Sequence, residues 1–142
     1  MRNIEAFNLV VGEVFGQCYR EFPCRIDIST MELGATLKEA KGECVQGELD
    51  LREAEYSFAR ESVQWLVDAG YLWCTTPAAY KFMGATLSPK GLEVLNTIPE
   101  GLEMKVSLGE ELSQGVVALG KEATKQMVLK ALSMGAKLMV GF

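Results

Sequence analysis

Residues 57–72 read Ser57-Phe58-Ala59-Arg60-Glu61-Ser62-Val63-Gln64-Trp65-Leu66-Val67-Asp68-Ala69-Gly70-Tyr71-Leu72. Phe58, Trp65, Leu66 and Ala69 continue a stripe begun by Leu51 and Ala54, at the steps of three and four that mark an amphipathic helix. Asp50 and Glu53 precede it at capping-box spacing, so the sequence predicts a helix over 50–69. Gly70 stands where a left-handed residue closes a helix, because it has no Cβ to penalise positive φ. Tyr71-Leu72-Trp73-Cys74 then reads as a strand. Trp73 alternates with Leu72 and so turns outward.

Downstream, 75–81 with Pro77 reads as a loop and 82–87 as a returning strand. Ser88 is an N-cap with Pro89 at the first helical position, where the missing N–H costs nothing. That helix runs 89–96 and stops before Pro99. Upstream, Ile4, Phe7, Val11, Val14, Phe15, Cys18 and Phe22 mark a helix over 4–22, ended by Pro23. Residues 25–29 alternate, which predicts a short strand with Ile26 and Ile28 facing the core beside Leu72 and Leu87. Ser29 and Glu32 form a second capping-box pair, opening a helix over 30–41 that Gly42 closes. Residues 47–49 are ambiguous. Past Gly101, Ser107 and Glu110 suggest another cap. Apolar residues at helical spacing over 110–140 predict a helix with recurring small residues: Gly115, Gly120, Ala123, Ala131 and Gly135.

The order helix, strand, helix, helix, strand, strand, helix is that of a winged helix-turn-helix domain. Two segments resemble that family at residue level. Ser57–Leu72 is similar to its recognition helix running into the wing. Ala85-Thr86-Leu87-Ser88-Pro89-Lys90-Gly91-Leu92-Glu93-Val94-Leu95 is similar to its passage from wing strand into the next helix. Gly91 there lets the helix approach the wing closely. The resemblance covers about 2–98. It implies a mostly α (α+β) fold: a winged-helix domain over 1–98 with a small antiparallel β-wing, and a C-terminal helical extension over 99–142 for packing or dimerisation.

Winged-helix kinship implies double-stranded DNA binding and a prokaryotic transcriptional regulator. On this chain Tyr56, Ser57, Arg60 and Gln64 would face bases or phosphates, with Lys81 and Lys90 on phosphates. Glu53, Glu55, Glu61 and Asp68 share the helix and would repel phosphate. The alternative is a non-catalytic protein-binding module on the same fold, of immunity or adaptor type. It would present an acidic surface with Glu53 and Glu61, and Trp73 as anchor.

Composition narrows the chemistry. The 142 residues carry no histidine, which removes Ser-His-Asp, Cys-His and His-ligated metal sites. The four cysteines, Cys18, Cys24, Cys44 and Cys74, include no CxxC pair, so a zinc site is not expected and free thiols in a reducing cytosol are. Glu53, Glu55 and Glu61, with Glu43 and Glu48, read as a solvated acidic face. No phosphate-loop motif accompanies Gly12, Gly16 or Gly84. No enzyme or cofactor is expected. Net charge is −5, with residues 1–100 at 9 basic against 15 acidic and residues 112–142 at four lysines against Glu122. That argues mildly against DNA. No signal peptide or membrane span is expected, and the location is expected to be cytoplasmic. The lysines of 112–142 are spread around the helix, which favours packing over membrane contact. The broad apolar surface of 4–22 and the small-residue stripe of 110–140 predict a homodimer through the C-terminal helix.

Overall fold

The computed structural model describes residues 2–42, 54–98 and 106–140, with side chains through Leu138. The elements are α1 (Asn3–Glu21), β1 (Ile26–Ser29), α2 (Thr30–Ala40), α3 (Ala54–Asp68), β2 (Leu72–Trp73), β3 (Thr76–Pro77), β4 (Lys81–Leu87), α4 (Pro89–Leu95), α5 (Leu108–Leu112), α6 (Val116–Leu119) and α7 (Lys121–Val140). Among the described residues the chain is mostly helical with a small antiparallel sheet, an α+β arrangement.

The caps form where hydroxyls stand ahead of apolar runs. Ser29 Oγ accepts from the Glu32 N–H at 3.2 Å, Ser88 Oγ from Gly91 at 3.1 Å, and Ser107 Oγ from Glu110 at 3.2 Å. Asp50 and Glu53 lie outside the described residues. At the end of α3, Gly70 has φ +85°. The Tyr71 N–H reaches Leu66 O and the Gly70 N–H reaches Val67 O, both at 3.0 Å, which satisfies carbonyls the helix leaves open. This one glycine turns the helix into β2.

β4 is the centre of the sheet. β1 pairs along one side, with Ile28 opposite Phe82, and β2 and β3 pair along the other, with Leu72 opposite Leu87. The stretch expected as a loop thus contains a two-residue strand. Pro77 fits there because an outer strand leaves its missing donor unneeded. Ile28, Leu72 and Leu87 are buried as expected, but Ile26 is only half-buried. The register shifts between Ile26 and Ile28, at a β4 bulge where Gly84 takes φ +65°. Two neighbours clamp it. The Gly84 N–H donates to Asp27 Oδ1 at 3.2 Å, and Arg25 Nη1 donates to Gly84 O at 2.7 Å.

α1 is the spine and contacts α2, α3, α5 and α7. Val10, Val11, Val14 and Phe15 are buried in a core shared with Leu66 of α3, Leu108 and Leu112 of α5, and Val128 and Ala131 of α7. Glycines set the spacing. A Cβ on Gly16 would stand 2.2 Å from Leu112 O, and one on Gly12 would stand 2.5 Å from Thr124 Cγ2. The apolar surplus behind the dimer expectation is therefore covered largely within one chain.

The helix expected over 110–140 is corrected by the structure. It is broken into α5, α6 and α7, because Gly115 and Gly120 adopt φ +93° and +84°. Their apolar neighbours keep helical spacing, which is why periodicity alone did not show the breaks. Among the described residues no helix is long and apolar enough to cross a membrane.

Candidate functional site on helix α3 and the β2–β4 hairpin

α3 and the hairpin hold most of the residues that sequence reasoning singled out, and the structure places them differently from a row of outward readers. Tyr56 is buried, at 2% exposure, and this corrects its expected outward position. Its ring fills the space that Gly34 leaves on α2, where an added Cβ would stand 1.8 Å from Tyr56 Cδ1. The missing side chain at Gly34 draws α2 and α3 together and turns Tyr56 inward. Ser57 and Glu61 are exposed. Glu53 lies outside the described residues, as do Glu43, Cys44 and Glu48.

Arg60 bridges to the hairpin. Its guanidinium lies 5.3 Å from the Phe82 ring centroid, and Nη1 donates to Ala78 O at 2.5 Å. Gln64 donates to Asp68 Oδ1 at 2.9 Å, one turn away on the same helix. Lys81 pairs with Asp27 Oδ2 at 3.3 Å. Lys90 donates to Ala69 O at 2.9 Å, with its ammonium 4.3 Å from the Tyr71 ring centroid. Each long polar group assigned to DNA therefore has an internal partner. Glu55 pairs with Lys41 at 3.4 Å. Its own backbone N–H holds its carboxyl below the usual range against burial, the next effect in size, and the Lys41 ammonium adds to the lowering.

Aromatic residues form the other part of the site. Trp65 is 46% exposed, although its place in the helical stripe suggested a core residue. Phe7 meets it edge-on at 5.4 Å and Tyr71 stacks at 6.3 Å, so the indole bridges α1 and the hairpin with one face in solvent. Burial raises the pKa of Tyr71, whose hydroxyl donates to Leu132 O on α7 at 3.3 Å. Trp73 is exposed as its alternation with Leu72 requires, at 52%. It borders a groove of about 350 Å³ whose walls include Phe22, Pro23, Arg25, Pro89 and Leu92. Sequence reasoning missed this groove. Phe22-Pro23 and Ser88-Pro89 served only as helix punctuation, and nothing local shows that the two breaks meet beside Trp73.

Cys18 is buried and its thiol is pushed up to about 12 by that burial, so it is a poor nucleophile. Burial also raises Cys74. Among the described residues no group of three or more acidic or cysteine side chains is placed to hold a metal ion. Comparison of the chain with protein-family models, curated proteins and solved structures gave no match.

Proposed function

We propose that this chain is a non-catalytic protein-binding module of winged helix-turn-helix type, and that its partner docks on the Trp73 side of the hairpin. The observation that carries this reading is the contrast between the cations and the aromatics. Arg60, Lys81 and Lys90 each have a partner inside the chain, while Trp73 and Phe22 leave apolar surface open beside a groove. Freeing three cations for phosphates would break bonds that hold the hairpin to α3 and to β1, and α4 to the end of α3. An exposed indole over a groove is the sort of anchor that supplies most of an interface's affinity. Glu61 and Asp68 are exposed on α3 but do not line the groove, whose wall includes Arg25. The order of α1 through α4 with a β2–β4 hairpin supports the winged-helix assignment, together with Gly70 and Gly91 at the two junctions.

Two measurements test the reading. Fluorescence anisotropy with duplex DNA from upstream of the gene, at about 50 mM salt where phosphate attraction is strong, is expected to show no binding. Binding that weakens with salt and is lost in Arg60→Ala would restore the regulator reading. A photocrosslinking phenylalanine in place of Trp73, in the native host, is expected to give one discrete protein adduct that weakens in Phe22→Ala. The same adduct from position 126 on α7, or an adduct with nucleic acid alone, would overturn the proposal.

A further inference from the structure

The Trp73 groove has a polar side as well as an apolar one. Trp73 pairs with Thr86 across β2 and β4. The pairing of Ile26 with Ala85 brings Arg25, the residue before β1, toward the other flank of Thr86. All three line the groove, and the stretches that wall it, 22–25, 73 and 86–92, lie within the described residues. Thr86 is 6% exposed, and its Oγ1 has no hydrogen-bond partner among the described residues. A buried hydroxyl without a partner is costly, and one on a groove wall is satisfied by a group bound there. The Trp73 indole N–H is also without a partner among the described residues. Arg25 is exposed and commits Nη1 to Gly84 O at 2.7 Å and to Thr75 Oγ1 at 3.5 Å, which leaves Nε and Nη2 to donate elsewhere. Asp27, its nearest acid along the chain, already accepts the Gly84 N–H and pairs with Lys81. Among the described residues the wall itself carries no carboxylate. A guanidinium and two further donors beside the apolar surface of Phe22, Pro23 and Leu92 are complementary to a carboxylate that stands next to a large apolar side chain.

We propose that the segment docked in this groove is an acidic-apolar stretch within a partner protein. Its large apolar side chain covers Phe22, Pro23 and Leu92, and an adjacent aspartate or glutamate side chain binds Arg25 and Thr86. This names the partner's chemistry and rests on the protein-docking reading above. The α3 carboxylates lie outside the groove, so the charge it selects is negative.

The test is selection of a random dodecapeptide library displayed on phage, on the full chain and, side by side, on its Trp73→Ala variant. The wild type is expected to enrich sequences in which Asp or Glu stands beside Trp, Phe, Leu or Met. The leading peptide, synthesised with both ends capped, is then titrated by fluorescence anisotropy. Changing its acid to the matching amide is expected to weaken binding to the wild type about tenfold, a comparison that alters nothing in the protein. On Arg25→Gln the acid and amide peptides are expected to bind alike, because the guanidinium that distinguishes them is gone. Arg2→Gln, at the exposed start of α1, is expected to keep the tenfold difference. Equal binding of the two peptides to the wild type would overturn the acidic segment, as would a difference that survives in Arg25→Gln. A basic or uncharged consensus that still needs Trp73 would overturn it and leave the docking reading standing. Enrichment no greater than on Trp73→Ala would overturn both.

Discussion

Asp27 does two jobs at the β4 bulge. It accepts the Gly84 N–H that the bulge leaves out of the ladder, and it pairs with Lys81. Those two contacts, the backbone one first, hold its carboxyl below the ordinary aspartate range. A carboxyl whose folded pKa is depressed adds stability above its unfolded value, 3.8 for an ordinary aspartate, and loses it as pH falls through the folded value. Asp27→Asn is therefore expected to be less stable than wild type at pH 7 and closer to it at pH 3. Urea midpoints at the two pH values check this, and an equal deficit at both would refute the assignment. The alternation of Arg25, Ile26, Asp27 and Ile28 was legible as a strand. That the two charged members serve one glycine on another strand was not, because Gly84 is remote in sequence and its φ is set by the pairing.

At the level of elements, glycines decide where helices stop and how closely they pack. At Gly120, with φ +84° and ψ +164°, an alanine enters a backbone region that is essentially open to glycine alone. Gly120→Ala is expected to destabilise by about 1–3 kcal/mol in urea unfolding. A continuous helix through this position would instead gain about 1 kcal/mol from the same change, so the sign distinguishes the broken helix from the unbroken one. Gly91 works by contact. A Cβ there would stand 2.3 Å from the Tyr71 carbonyl oxygen, which already accepts the Ser88 N–H. Gly91→Ala is expected to cost about 1–3 kcal/mol through overpacking between α4 and the hairpin. A neutral substitution would show that the two elements can separate freely. The need for a close approach at Gly91 was legible from the resemblance. The breaks at Gly115 and Gly120 were hidden by apolar residues that keep helical spacing across them.

For the whole molecule, α1 and the C-terminal helices solve each other's exposure. α1 offers an apolar surface wider than α2 and α3 cover, and α5 and α7 pack on the remainder with Val128, Ala131, Leu108 and Leu112 buried. Light scattering at tens of micromolar is expected to give the 15.6 kDa monomer. A doubled mass would return the homodimer to consideration, with the exposed Ile98 and Leu129 as the first residues to substitute. Trp73 remains open on the monomer.

The sequence by itself determined the local elements through Leu95 wherever the chain is described, with the exception of β3. Helix periodicity, hydroxyl caps at Ser29, Ser88 and Ser107, and the punctuation by Pro23 and Gly70 are properties of neighbours in the chain, so they can be read in order. It also removed histidine chemistry outright. What only the tertiary structure decided is which polar groups are spoken for. Tyr56, Arg60, Lys81 and Lys90 look like free readers on a helix and a hairpin considered alone. Gly34 makes room that draws Tyr56 inward, and Ala78, Asp27 and Ala69 take the three cations. Those partners come from other elements, and a side chain's freedom is set by what folds against it, which spacing along one helix does not encode.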